Sequence, residues 1–180
     1  MAKDDVQLVL LCEDKQQEVF ARQFFIHRGF DRRKIRVNRS PPGEGAAERY
    51  VRNRYPQEVR RHRSKSAHLS ICLVVVIDAD AYTVAQRLTQ FDSELEDDGQ
   101  RKRQAGEKIA VFVPRRNIET WIHYLREQAV DEETAYPRLA RESDCKPDVE
   151  KLVNQICPSG LPNDAPPSLH TACDELQKIV

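Results

Sequence analysis

The chain has 180 residues, with Lys+Arg and Asp+Glu equal at 29 each, so its formal charge is zero. That balance excludes a uniformly basic nucleic-acid-binding chain and leaves only local patches for contact with a polyanion. No apolar run reaches the roughly 18–20 residues that span a bilayer, and the opening MAKDDVQ carries no secretory apolar core, so a cytoplasmic protein without a membrane segment is expected.

Four segments read as strands: 6–12 (VQLVLLC), 34–38 (KIRVN), 69–77 (LSICLVVVI) and 108–113 (KIAVFV). The last two are almost continuous in aliphatic residues, as strands covered on both faces are. Helical stretches alternate with them. The stretch 15–28 turns Val19, Phe20, Phe24 and Ile26 toward the sheet. The stretch 44–63 is interrupted at Tyr55-Pro56, with Pro56 opening a second helix. The stretch 82–96 carries Val84, Leu88, Phe91 and Leu95 at three- and four-residue spacing. Asn117 can cap a helix over 118–127. Beyond it, 143–156 reads as a helix with Pro147 early, 157–167 (CPSGLPNDAPP) as a loop, and Ser168 as the cap of a last helix over 169–179.

This alternation predicts an α/β fold with a mostly parallel sheet of about four strands flanked by helices. An α/β domain over 1–130 is followed by a helical extension over 131–180 that packs with the proline-rich loop. The five cysteines are odd in number, irregularly spaced and form no CxxC, which argues against a zinc site or a disulfide framework. Cys12 and Cys72 lie in apolar runs and read as core residues.

In an open parallel sheet, ligands collect at the carboxyl ends of the strands. The first strand runs into Glu13-Asp14, the third into Asp78-Ala79-Asp80, and the fourth through a short turn to Glu119. Single acids at such places are ordinary turn or cap residues. Four carboxylates on one rim repel one another unless a cation or basic groups neutralise them. Oxygen donors with room for water suit Mg²⁺ or Mn²⁺ better than zinc, and ions held this way serve phosphoryl chemistry.

The arrangement strand-Glu13-helix followed by strand-Asp78-Ala79-Asp80-helix resembles the Toprim domain, the topoisomerase–primase fold. The run Pro114-Arg115-Arg116-Asn117-Ile118-Glu119 is similar to the additional acidic position of the branch related to overcoming-lysogenization-defect nucleases. The resemblance covers about residues 6–127. It implies a Mg²⁺- or Mn²⁺-dependent nuclease with Glu13, Asp78 and Asp80 as catalytic residues, Glu13 being a metal ligand and general base. Glu119 would join these three as a metal ligand. It also implies a separate ATPase partner in a phage-defence or mobile-element setting. Two positions differ from the pattern. Asp14 stands where Gly is usual, either as an extra ligand or as a sign of an altered site. Gln17 stands where a further acid is common. The alternative is a non-catalytic interaction subunit of the same fold. A haloacid-dehalogenase-like phosphatase is a poorer match, since that family sets its acid pair after the first strand and has Thr or Val where Tyr82 stands.

The segment 49–65 is rich in arginine and carries a single acid, Glu58. Arg52, Arg60, Arg61 and Arg63, with Arg116 near the rim, are candidates to hold nucleic acid, with DNA favoured over RNA. The alternative is a solvated helix face with Tyr50 and Tyr55 packed inward. Arg101-Lys102-Arg103 reads as an exposed loop, and Gly43-Glu44-Gly45 as a turn. A homo-oligomer is compatible with the sequence.

Overall fold

A computed structural model provides the structure and describes residues 5–43 and 45–180. Strands β1 (Gln7–Cys12), β2 (Ile35–Arg39), β3 (Ile71–Val76) and β4 (Ile109–Phe112) form one sheet in the order β2-β1-β3-β4. Every neighbouring pair is parallel, with Leu8 opposite both Ile35 and Cys72, and Leu73 opposite Ile109. The aliphatic runs explain the arrangement. β1 and β3 sit at the centre and are buried on both sides. Leu8, Leu10, Cys72, Val74 and Val76 face one apolar cluster, while Val9, Leu11, Leu73 and Val75 face the other.

The helices divide between these faces for a topological reason. The chain moves outward from β1 to β2, then reverses across β1 to β3 and β4. Right-handed crossovers therefore send α1 (Lys15–His27) to one face, and α2 (Ala47–Lys65) and α3 (Val84–Asp97) to the other. Phe20, Ala21, Phe24 and Phe25 of α1 fill the first cluster. Val19 and Ile26, expected there, are only half-buried, because the buried stripe is centred on Phe24 and Phe25. Phe91 and Leu95 of α3 are fully buried, while Val84 and Leu88 pack at the margin.

Helix α2 differs from expectation. It runs unbroken from Ala47 to Lys65 with Pro56 inside it. An interior proline removes one helical hydrogen bond and costs about 3 kcal/mol. Val51, Tyr55 and Val59, on both sides of it, are fully buried, and each such side chain contributes roughly 1.5–3 kcal/mol. Tyr55 meets Phe91 edge-on with ring centroids 4.6 Å apart. Together these contacts outweigh the lost bond and hold one helix across the proline. Glu44, the expected start of this helix and the centre of the Gly43-Gly45 turn, lies outside the described residues. Gly43 and Gly45 themselves take positive φ.

With only α1 between β1 and β2 on its side, the sheet would expose the first face of β3 and β4. Helices α4 (Glu119–Leu125), α5 (Lys146–Lys151), α6 (Cys157–Ser159) and α7 (Pro167–Leu176) close it. Trp121, Ile122, Val149, Leu169 and Leu176 share one cluster with Leu8, Leu10 and Phe112, so residues 131–180 complete the same core. Three local expectations are corrected here. The stretch 143–156 is a 3-10 turn (Glu142–Cys145), α5 and a π-helical turn (Leu152–Ile156) in place of one helix. Asn117 does not cap α4, because its side-chain amide donates to the Tyr136 carbonyl at 3.0 Å. Ser168 lies inside α7, which starts at Pro167, and its hydroxyl accepts from the Trp121 indole N–H at 2.9 Å.

Arg103 also departs from expectation, since its side chain turns from the loop into an ion pair largely withdrawn from water. Its guanidinium donates to Glu175 at 2.6 Å and to the Ile109 carbonyl at 3.3 Å. Glu175 in turn accepts the Val111 amide at 2.8 Å. β4 is an edge strand, and this pair occupies backbone groups that would otherwise invite pairing with another chain. The five cysteines are free thiols, Cys12 and Cys72 fully buried. Among the described residues, no helix is long and apolar enough to cross a membrane.

Removing the carboxylate would leave Arg103 buried and unpaired. Glu175→Ala is expected to destabilise the fold by about 3 kcal/mol, lowering the melting temperature by about 6–12 °C, as read by scanning calorimetry. A change under about 2 °C would show that the pair contributes nothing to holding α7 against β4.

Candidate functional site

The chain leaves β1 in one direction and β3 in the other, so the connections part between these two strands. Folds of this kind bind ligands at the carboxyl ends of the strands at such a point. Glu13 follows β1 directly, and Asp78 follows β3 after Ile77. The Asp78 amide donates to Glu13 Oε1 at 2.6 Å. Gln17, fully buried in the first turn of α1, donates to the same oxygen at 3.3 Å and accepts the Glu13 amide at 2.9 Å. Asp14 caps α1, its carboxylate accepting the Gln17 amide at 2.9 Å. The residue in the usual glycine position thus has a structural task, and the glutamine in place of an acid clamps Glu13.

The electrostatics follow from this burial. Burial chiefly, then the charges of Asp80 and Asp14, push Glu13 up to about 7, against the hydrogen bonds from Asp78 and Gln17. Burial also holds Asp78 well above the usual carboxylate range, and the negative charges of Glu13, Asp14 and Glu119 add to it. Asp78 Oδ1 is buried without a hydrogen-bond partner. Glu119 is 3% exposed at the start of α4, and burial, then Asp14, raises it too. Glu13, Asp14, Asp78 and Glu119 therefore share one electrostatic neighbourhood.

Asp80 sits at its outer side. Its φ of 53° is left-handed, a conformation that costs an L residue roughly 1–2 kcal/mol. Surrounding contacts impose it. The Asp80 carbonyl accepts from Arg115 at 3.0 Å and Arg116 at 3.2 Å, and its carboxylate lies 3.5 Å from Arg87. Burial raises the Asp80 carboxyl, and Arg87 pulls it back. Arg87 is 1% exposed, bonds Glu48 at 2.7 Å and the Asp78 carbonyl at 3.2 Å, and stacks over Tyr82 at 4.6 Å. Sequence reasoning did not single out Arg87 or Glu48. The signal was a lone arginine one turn before Phe91, on the buried stripe of α3.

As hard oxygen donors these carboxylates suit Mg²⁺ or Mn²⁺, and the partnerless Asp78 oxygen is what such an ion would take. Among the described residues, no group of three or more His, Cys, Asp or Glu side chains is arranged to hold a metal ion.

The arginine candidates divide. Arg116 belongs to this rim. Arg52 lies mid-helix and pairs with Glu94 at 2.6 Å. Arg60, Arg61 and Arg63 lie in the last turns of α2, at the amino ends of the strands, where the neighbouring His62 ring reaches the Ile71 carbonyl. Arg60 pairs with Asp98, Arg61 with Glu58 and Arg63 with Glu107. Tyr55 is buried, and Tyr50 donates to Asn38 at 2.5 Å. Comparison with protein-family models, with curated proteins and with solved structures returned no match.

Raised carboxyl groups bind protons in the folded state that the unfolded chain has released, so their contribution to stability falls as pH rises, for Glu13 between 4.5 and about 7. Asp78→Asn removes one repelling charge while keeping the backbone amide that holds Glu13. The variant should melt about 5 °C above the native protein at pH near 8, an advantage that shrinks near pH 5. Calorimetry at both values checks this, and coincident melting at the higher pH would contradict it.

Proposed function

We propose that the carboxyl-edge cluster is the divalent-cation centre of a Toprim-type, Mg²⁺-dependent nuclease. It would hydrolyse phosphodiester bonds of nucleic acid, DNA in preference to RNA, as one component of a complex with a separate ATPase. The observation that carries this reading is the pairing of two half-buried, mutually repelling carboxylates, Glu13 and Asp78, with a buried, unpartnered Asp78 oxygen, at the parting of the strand connections. Such a cluster is costly without a counter-charge, and functional sites are where that cost is met.

In this reading Glu13, Asp78, Asp80 and Glu119 hold Mg²⁺ or Mn²⁺. The bound ion would supply Lewis acidity to the phosphate and lower the pKa of the attacking water. The Asp78 and Gln17 bonds both go to Glu13 Oε1, so in this reading its other oxygen would take the proton from that water. Gln17 keeps its carboxylate oriented. Arg116, which reaches the Asp80 carbonyl, would be the cation to meet a phosphate at this rim, while Arg115 is held by the Asp80 and Tyr82 carbonyls and Glu133.

A second reading has its own support. Arg87 already gives Asp80 and Glu48 a permanent counter-charge. A non-catalytic docking subunit of the same fold would need no more. A plasmid-nicking assay with Mg²⁺ or Mn²⁺ separates the two. The nuclease reading expects cleavage that Asp78→Asn/Asp80→Asn lowers about 100-fold or more, as loss of charge partners in a transition state does. Equal cleavage by native protein and variant, or none by either with each ion, would favour the docking subunit.

A further inference from the structure

We propose that the amino edge of the sheet carries a separate site, a groove that takes the phosphodiester backbone of a nucleic-acid strand. It does not rest on the nuclease reading. The groove lies against the starts of β1, β2 and β3 and the last turns of α2, and it encloses about 850 Å³. Its cations are Arg33, Lys34, Arg36, Arg61 and Lys65, against one lining carboxylate, Glu58.

Glu58 organises the groove. Its side chain is 1% exposed and takes Arg36 at 2.7 Å, Arg61 at 3.5 Å and Arg54 at 3.8 Å, with the Asn38 amide at 3.0 Å. Three guanidinium groups surround one carboxylate, so positive charge is left over and already held in place. Arg36 and Arg61 keep half their side-chain surface exposed. Asp31 and Asp5 touch Arg33 and Lys34 at the mouth, but these are solvent-facing pairs that bind weakly. His62 is 4% exposed, lines the same groove, and has a buried Nδ1 without a partner.

The register of β2 explains the opening. Arg36 stands opposite Val9, on the face where β1 and β3 are apolar. The edge strand thus ends the apolar surface early, and polar groups fill the space under α2. The floor is made of strand residues such as Leu8, Val9 and Ile71, each under a tenth exposed. Forked guanidinium donors without base-reading aromatics fit a phosphate backbone, irrespective of sequence. Strands of this length put the groove about 20 Å from the carboxylate rim.

The test is fluorescence anisotropy with a labelled single-stranded DNA of about 20 nucleotides, long enough for one such site. Arg61→Gln/Lys65→Gln should weaken binding about tenfold at about 50 mM NaCl and reduce the salt slope by about 1.4, two phosphate contacts for a single strand. Arg141→Gln/Lys146→Gln, an equal charge change on the exposed surface of 141–146, should leave both unchanged. Equal losses from the two double variants would overturn the groove. Displacement of the DNA by poly-glutamate of matched charge would replace it with an acidic protein partner.

Discussion

Between the two central strands, the Glu13 carboxylate accepts the Asp78 amide at 2.6 Å, and that bond joins the loops after β1 and β3. It exists because the chain winds in opposite senses from the middle of the sheet, leaving the carboxyl ends of both strands uncovered by any crossover. The bond has a consequence. It draws Glu13 out of water beside Asp78, whose own carboxylate is short of a partner. Both groups then resist ionisation, and the charges of Asp80 and Asp14 on Glu13, and of Glu13, Asp14 and Glu119 on Asp78, deepen the resistance. Everything proposed for the carboxyl edge depends on this enforced proximity of acids.

The opposite edge shows the same economy with the sign reversed. Glu58 is a single buried carboxylate among three arginines, and cations are in excess there. A formal charge of zero therefore conceals local clusters, carboxylates where β1 and β3 end and cations around Glu58 where the strands begin. Long-range attraction of a polyanion would act on the basic edge and be resisted at the acidic one unless a cation intervenes.

Much of the scaffold was legible because aliphatic runs report burial directly. The 69–77 and 108–113 runs became β3 and β4, and alternation with helices gave a parallel sheet. The acids Glu13 and Asp78 were legible as strand-end residues, though their contact was not, since pairing across 65 positions depends on strand order. Pro56 misled because its local chemistry favours a break, while burial of Val51, Tyr55 and Val59 favours a continuous helix and is worth more than the lost hydrogen bond. Arg87 and Arg103 were hidden for a common reason: a buried arginine looks like a surface one until its carboxylate, on a distant element, is known. Arg60, Arg61 and Arg63 were legible as a basic run, but not their edge of the sheet, which follows from α2 running antiparallel to the strands.

If the buried carboxylates of the carboxyl edge are assembled to take a hard divalent cation, the ion itself should reveal it. Diffraction from crystals soaked in Mn²⁺, recorded for anomalous scattering, tests this without reference to any substrate. The expected result is an anomalous peak bonded to Asp78 Oδ1 and shared with Glu13 or Asp80, absent from Asp78→Asn crystals. Saturating Mn²⁺ with no peak at Asp78, and Glu13 still closed on the Asp78 amide, would contradict it.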